Sequence, residues 1–137
     1  MHRLKSEDFL LELTAVVHEE DLPEPVNATL LVSVSSDGFS GHAGMDIDVR
    51  DLAAFAVRLK ELYESLDGSA RLEEPYSEGY MEFTADSLGH IRIRGCLQKS
   101  NAYGDTQKLL FGSEIDQTYL KDFAGELHAD FAKYAGS

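Results

Sequence analysis

The chain has 137 residues, 43% of them hydrophobic and 9% aromatic, a composition typical of a globular domain and not of a disordered chain. It carries 12 Lys and Arg residues against 25 Asp and Glu residues, which gives a formal net charge of −13 at pH 7. This excess of negative charge repels nucleic-acid phosphates and anionic membranes, and it argues against direct binding to either.

Three segments in the first half of the chain alternate apolar and polar side chains with the period of two that is typical of half-buried strands. They span residues 9–17, 26–35 and 39–47. Asp48 follows where the N-cap of a helix is expected, and an apolar stripe from Leu52 to Leu66 recurs at helical spacing. Gly68 is expected to end this helix in a left-handed conformation.

The second half repeats this order of strands followed by a helix. Strands are predicted at residues 70–73, 79–85, 90–99 and 108–115. Asp116 is the predicted N-cap of a second helix, whose apolar stripe runs from Tyr119 to Tyr134. The sequence therefore predicts one α+β domain over residues 1–137, with a largely antiparallel sheet of about six to seven strands and two amphipathic helices laid on it.

The apolar faces of these elements define an expected core, in which both helix stripes pack on the sheet. Its helix residues are Leu52, Phe55, Leu59, Leu120, Phe123 and Leu127, and its strand residues are Leu30, Val32, Ile91, Ile93 and Phe111.

The two helices also resemble each other in sequence. Four apolar residues of the first recur in the second at one constant offset of 68: Leu52, Phe55, Ala56 and Leu59 match Leu120, Phe123, Ala124 and Leu127. This offset favours an internal duplication into two βββα halves, about 1–68 and 69–137, with residues 70–73 as an extra strand that joins them. Convergence is the alternative, because any strand that leads into a capped amphipathic helix follows this pattern.

No pattern in the sequence predicts a catalytic or metal centre. The turn glycines Gly38 and Gly41 lack the following lysine and the strand-to-helix context of a phosphate-binding loop. The five histidines are scattered without the spacing of metal ligands. The single cysteine, Cys96, excludes an intramolecular disulfide and is expected to be inert packing rather than a reactive thiol. We therefore expect no enzyme activity, no cofactor and no metal.

The location of the protein is inferred from what its sequence lacks. No apolar run approaches the length that spans a bilayer, and the N-terminal residues lack the apolar region of a signal peptide. We therefore expect a cytoplasmic protein.

Three stretches together resemble a known bacterial family. They are Val34-Ser-Ser-Asp-Gly-Phe-Ser-Gly41, then Asp51-Leu-Ala-Ala-Phe55 with Leu59 and Leu62 leading to Gly68-Ser-Ala70, and finally Phe111 with Asp116-Gln-Thr-Tyr-Leu120 and Phe123. This pattern is similar to that of the WapI-type immunity proteins, which neutralise toxin domains of contact-dependent or polymorphic toxin systems, and of their uncharacterised relatives. The resemblance implies a non-enzymatic protein-binding domain, and it carries over no catalytic or binding residues.

The charge of the chain suggests which residues would meet such a partner. A toxin nuclease is usually basic, so an acidic inhibitor would be steered to it. Two loops concentrate acidic residues: Glu19, Glu20, Asp21 and Glu24 in the first, and Glu73, Glu74 and Glu78 with Tyr76 in the second. Tyr76 is the predicted aromatic anchor of the interface. Two simply solvated loops are the alternative interpretation.

Two other function classes stay open from the sequence alone. One is a small-molecule-binding or enzymatic domain with a pocket between sheet and helices. The other is an uncharacterised module that self-associates, for instance as a homodimer, through its sheet.

Overall fold

The computed structural model describes residues 1–136, which form two four-stranded antiparallel sheets and two α-helices. The first sheet contains β1 (His2–Lys5), β2 (Phe9–Val17), β3 (Ala28–Ser36) and β4 (Phe39–Ile47), and α1 (Val49–Ser65) follows it. The second sheet contains β5 (Ser69–Glu73), β6 (Tyr80–Ala85), β7 (His90–Ser100) and β8 (Thr106–Asp116), and α2 (Leu120–Phe131) follows it. Within each sheet the strands lie in chain order. No helix in residues 1–136 is long and apolar enough to cross a membrane.

The α+β class, the antiparallel pairing and the two helices are confirmed, whereas the details of the sheet differ from the sequence prediction. The structure has eight strands in two sheets, where six to seven strands in one sheet were expected. The strand that the sequence does not reveal is β1, a segment of four residues in which His2 and Leu4 are buried while Arg3 and Lys5 are exposed. With a single apolar residue, β1 carries too short an alternation to be recognised before its pairing with β2 is known.

All residues of the predicted core are buried. Three rings from different elements meet at its centre, with Phe55 and Phe83 edge to face at 5.8 Å and Phe83 and Phe123 stacked at 6.2 Å between centroids. These residues belong to one hydrophobic cluster that includes side chains from both sheets and both helices. Burial of apolar side chains on this scale supplies most of the driving force for folding.

The two halves pack against each other reciprocally. Strand β4 contacts β7 while β8 contacts β3, and α1 packs on β5 while α2 packs on β1. Gly41 of β4 lies against its sequence counterpart Leu109 of β8, where an added Cβ would be 2.9 Å from the leucine Cδ2. A larger residue at position 41 would require the Leu109 side chain to shift, and β3 and β4 pair there without a bulge.

The repeated order of elements supports the proposal of an internal duplication. Each half consists of four strands and a helix, so residues 70–73, expected as an extra strand, belong to β5, which corresponds to β1. The constant offset of 68 fails at the third strand, because Ala28 pairs with Ile47 whereas Ile91 pairs with Ile115. The loop before this strand is longer in the first half, and the loop after it is longer in the second half.

Both predicted helix caps are present. The side chain of Asp48 accepts a hydrogen bond from the Arg50 amide, and that of Asp116 accepts one from the Thr118 amide. Asp116 caps a 3₁₀ turn, Gln117–Tyr119, that leads directly into α2. The end of α1 differs from the prediction in position, since the C-cap is Leu66 (φ 54°). Gly68 has the expected positive φ, at 87°, but lies two residues beyond this cap.

Candidate functional site

The first acidic loop connects β2 to β3 and is held by one buried side chain, that of Asn27. Asn27 is fully buried, and its Nδ2 donates to the carbonyl of Leu22 at 3.3 Å and to that of Glu24 at 3.0 Å. Its Oδ1 accepts from the Val49 amide at 2.8 Å, so the same side chain joins the loop to the first turn of α1. The loop is therefore fixed in place although its outer residues face solvent.

The carboxylates of this loop have no counter-charge from the other residues that the structure describes. Glu19, Glu20 and Asp21 form a 3₁₀ turn in which every residue is exposed, and Glu24 is exposed as well. None of these four side chains takes part in an ion pair with any residue between positions 1 and 136. The loop thus presents four uncompensated negative charges on a fixed backbone.

The second acidic loop, residues 74–79, is attached to the first sheet through Glu74. The Glu74 Oε2 accepts from the Asp46 amide of β4 at 2.7 Å, and its Oε1 accepts from the Ser77 hydroxyl at 2.6 Å. Because both carboxylate oxygens accept hydrogen bonds within the chain, Glu74 positions the loop against β4. It also occupies a backbone donor at the exposed edge of β4.

The other carboxylates near this loop are compensated. Glu73 pairs with Arg71 at 2.5 Å, and Glu78 pairs with Lys108. Tyr76, by contrast, is 100% exposed, and its backbone adopts a positive φ of 67°, which is uncommon for a residue other than glycine. The second loop therefore presents an exposed aromatic ring, and the charges of Glu73 and Glu78 beside it are balanced by basic side chains.

Both loops are anchored where β4 ends and α1 begins. Glu74 reaches the amide of Asp46, and the guanidinium of Arg50 donates to the carbonyl of Glu24 at 3.4 Å. The structure thus brings together two loops that are far apart in sequence, on either side of the start of α1. We call the resulting surface the acidic edge, composed of Glu19, Glu20, Asp21, Glu24, Asp46, Asp51, Glu73, Glu74, Tyr76 and Glu78.

Sequence reasoning missed two residues of the acidic edge, Asp46 and Asp51. Both are exposed, and Asp51 lines an open groove between α1 and β5 together with Glu73 and Glu74. Their sequence positions are explained by a strand end and the first turn of a helix, where acidic residues are common. The contact of Glu74 with β4 places Asp46 beside the second loop, and the packing of α1 on β5 does the same for Asp51.

A third aspartate in the same segment, Asp48, has a structural role. Its carboxylate accepts from the guanidinium of Arg50 at 2.8 Å and 2.5 Å, and this pairing lowers the pKa of Asp48 below its ordinary value. Asp48 therefore stays ionised and holds the first turn of α1, and its charge is balanced by Arg50.

Two features of the interior bear on the other functions that the sequence leaves open. The rings of Phe55, Phe83 and Phe123 fill the centre of the space between sheets and helices, and an open groove is left between α1 and β5. The Cys96 side chain is buried, and burial raises the pKa of its thiol, which disfavours the reactive thiolate.

Comparison with known proteins gives one positive finding. The sequence model of a family described as the Immunity protein WapI-like family matches residues 9–135 of this chain. The match begins at the first residue of β2 and includes both acidic loops and both helices. A search of curated proteins gives no match.

Proposed function

Because the chain belongs to the WapI-like immunity protein family, we propose that it is a non-enzymatic inhibitor that binds a basic toxin domain through the acidic edge. The proposal rests on one observation above all. Glu19, Glu20, Asp21 and Glu24 lack counter-charges within residues 1–136, on a loop that buried hydrogen bonds hold in place.

Uncompensated charges on a fixed loop are suited to capturing a basic partner. Opposite charges steer two proteins together over roughly 8–10 Å at physiological salt, and they raise the association rate more than the final affinity. A loop that is already ordered pays little conformational entropy on binding. The first acidic loop therefore provides electrostatic attraction and some of the polar rim of the interface.

Tyr76 supplies a different contribution from the neighbouring loop. Aromatic side chains that become buried at an interface are frequent hot spots, and their loss speeds dissociation. The ring is fully exposed in the free protein, so it loses no internal contact when it enters a pocket of the partner. Glu74 supports both contributions, because it fixes the second loop against β4 beside the first.

The test of the steering role is a charge reversal with a matched control. Glu19→Lys, Glu20→Lys and Asp21→Lys together should slow association with a cognate basic toxin domain by about tenfold or more at low salt. The control variant changes net charge equally on the exposed helix surfaces: Glu64→Lys, Asp122→Lys and Glu126→Lys. Equal slowing by both variants would assign the effect to net charge and would overturn the role of the acidic edge.

The anchor role has its own matched pair. Tyr76→Ala should raise the dissociation rate, whereas Tyr103→Ala, at the tip of a different loop and 90% exposed, should leave it unchanged.

The function itself is tested by growth of cells that express the toxin domain, with and without this protein. Undiminished killing in the presence of the folded protein would contradict the proposal.

A further inference from the structure

A separate cluster of potential metal ligands lies in the second half of the chain. Asp86 comes from the turn between β6 and β7, His90 begins β7, and Glu114 lies near the end of β8. One ligand atom from each side chain lies within 4.8 Å of the other two. The Nδ1 of His90 is 3.4 Å from Asp86 Oδ2 and 3.3 Å from Glu114 Oε1.

These two separations are long for hydrogen bonds, whose N···O distances centre near 2.9–3.0 Å. They agree with the edges of a metal coordination shell. With bonds of about 2.0–2.1 Å to nitrogen and oxygen, two ligands of a tetrahedral ion are roughly 3.3–3.4 Å apart. Two of the three separations between donor atoms therefore match those around a small divalent ion, and the third, between the two carboxylates, is at most 4.8 Å.

The ligand atoms are also oriented by groups that do not compete for the ion. Oδ1 of Asp86 accepts from the amides of Leu88 at 2.8 Å and His90 at 3.0 Å, which leaves Oδ2 directed toward the imidazole. Glu114 lies opposite Arg92 in the β7–β8 register, yet its carboxylate contacts His90 and forms no ion pair with Arg92 in residues 1–136.

Comparison of the two halves shows that His90 is not needed to start the second helix. At the equivalent position before β3, the Asn27 side chain accepts from the Val49 amide at the start of α1. In the second half the matching amide, that of Gln117, donates instead to the carbonyl of Gly89 at 3.0 Å. The His90 imidazole therefore does not make the hydrogen bond that Asn27 makes at the start of the first helix.

We propose that Asp86, His90 and Glu114 form a surface site for a divalent transition-metal ion, with Zn²⁺ as the best fit. One imidazole and two carboxylates are ligands that Zn²⁺ accepts, and a tetrahedral ion would keep one position open for water or a donor from a partner. The site is only partly buried, so ions reach it from solvent without any movement of the backbone.

Titration of the full chain with Co²⁺ tests this site directly. Tetrahedral Co²⁺ coordinated by these side chains should give visible absorption bands that Zn²⁺ then removes by displacement. His90→Ala and Glu114→Gln should each weaken Co²⁺ and Zn²⁺ binding by about tenfold or more, as loss of a ligand does at a site with few others. His42→Ala, which removes an exposed histidine elsewhere, is the matched control and should bind as the unaltered protein does.

The outcomes separate the proposal from adventitious binding. Circular dichroism of each variant checks that the fold is retained, since the three side chains are at most partly buried. Absence of Co²⁺ bands in the unaltered protein would overturn the proposal. Equal weakening by His42→Ala, or unchanged binding by His90→Ala, would do the same by assigning the ion to other groups.

Discussion

Replacement of Asn27 by alanine should both destabilise the fold and loosen the first acidic loop. The Asn27 side chain joins this loop to the N-cap Asp48 and to the buried amide of Val49. Alanine removes all of these hydrogen bonds while leaving the backbone conformation accessible. The variant therefore tests whether the loop is held by the contacts that the structure assigns to it.

The expected loss can be worked out from these contacts. The Val49 amide lies in a residue that is 1% exposed, and a buried donor without a partner costs about 1–3 kcal/mol. The carbonyls of Leu22 and Glu24 are nearer to solvent and regain water, so together they add about 1 kcal/mol. The free energy of unfolding should therefore fall by about 2–4 kcal/mol, a large part of the 5–15 kcal/mol typical of a domain.

Urea denaturation at pH 7 measures this loss, and Asn101→Ala provides the matched control. The Asn101 side chain accepts from the amides of Tyr103 and Asp105 in an exposed turn, so its removal should cost about 1 kcal/mol or less. Hydrogen exchange of the amides of Asp21, Leu22 and Glu24, which donate within the loop, should increase in the Asn27 variant alone. A loss equal to that of Asn101→Ala, with unchanged exchange in the loop, would refute the anchoring role.

Four further substitutions test the core, the close packing and the electrostatics. Phe123→Ala should lower the free energy of unfolding by about 3–5 kcal/mol in urea denaturation, because the ring is 2% exposed, and a loss below about 1 kcal/mol would remove it from the core. Gly95→Ala should destabilise the protein by about 1–3 kcal/mol or more because the new Cβ would lie 2.8 Å from a backbone carbonyl oxygen. Gly125→Ala, in open space on α2, should instead stabilise the protein by about 0.5–1 kcal/mol. Equal shifts of the melting temperature in the two variants would contradict this packing. Because Arg50 lowers the pKa of Asp48, this carboxylate stabilises the fold above the ordinary pKa of about 4 and loses that contribution as the pH falls through the lowered pKa. The difference in free energy of unfolding between the unaltered protein and Asp48→Asn should therefore narrow between pH 7 and about pH 2.5. A difference that stays constant with pH would exclude this linkage.

Much of the fold follows from local sequence patterns. Strands β2 and β4 begin and end where the alternation of apolar side chains does, and Asp48 and Asp116 cap helical turns at the predicted positions. These features are predictable because a period of two or 3.6, or a carboxylate before a helix, depends on neighbours a few residues away. β1 could not be predicted in this way, because its burial depends on contact with α2 and on pairing with β2.

The candidate site was only partly predictable for the same reason. The sequence singled out both acidic loops, but it treated their carboxylates as equivalent. In the structure Glu74 is a structural tie to β4, and Glu78 is paired with Lys108, while the first loop keeps its charges uncompensated. These distinctions arise from partners 28 and 30 positions away along the chain.

The sequence by itself determined the α+β class, the two capped amphipathic helices, the membership of the core and the strong negative charge. The tertiary structure alone decided that the strands divide into two reciprocally packed sheets, that both loops flank the start of α1, and which carboxylates stay free. The physical reason is the range of the interactions involved. Periodicity and capping act within one or two turns of the chain, whereas an ion pair or a hydrogen bond between loops exists only once the core has brought distant segments within about 3 Å of each other.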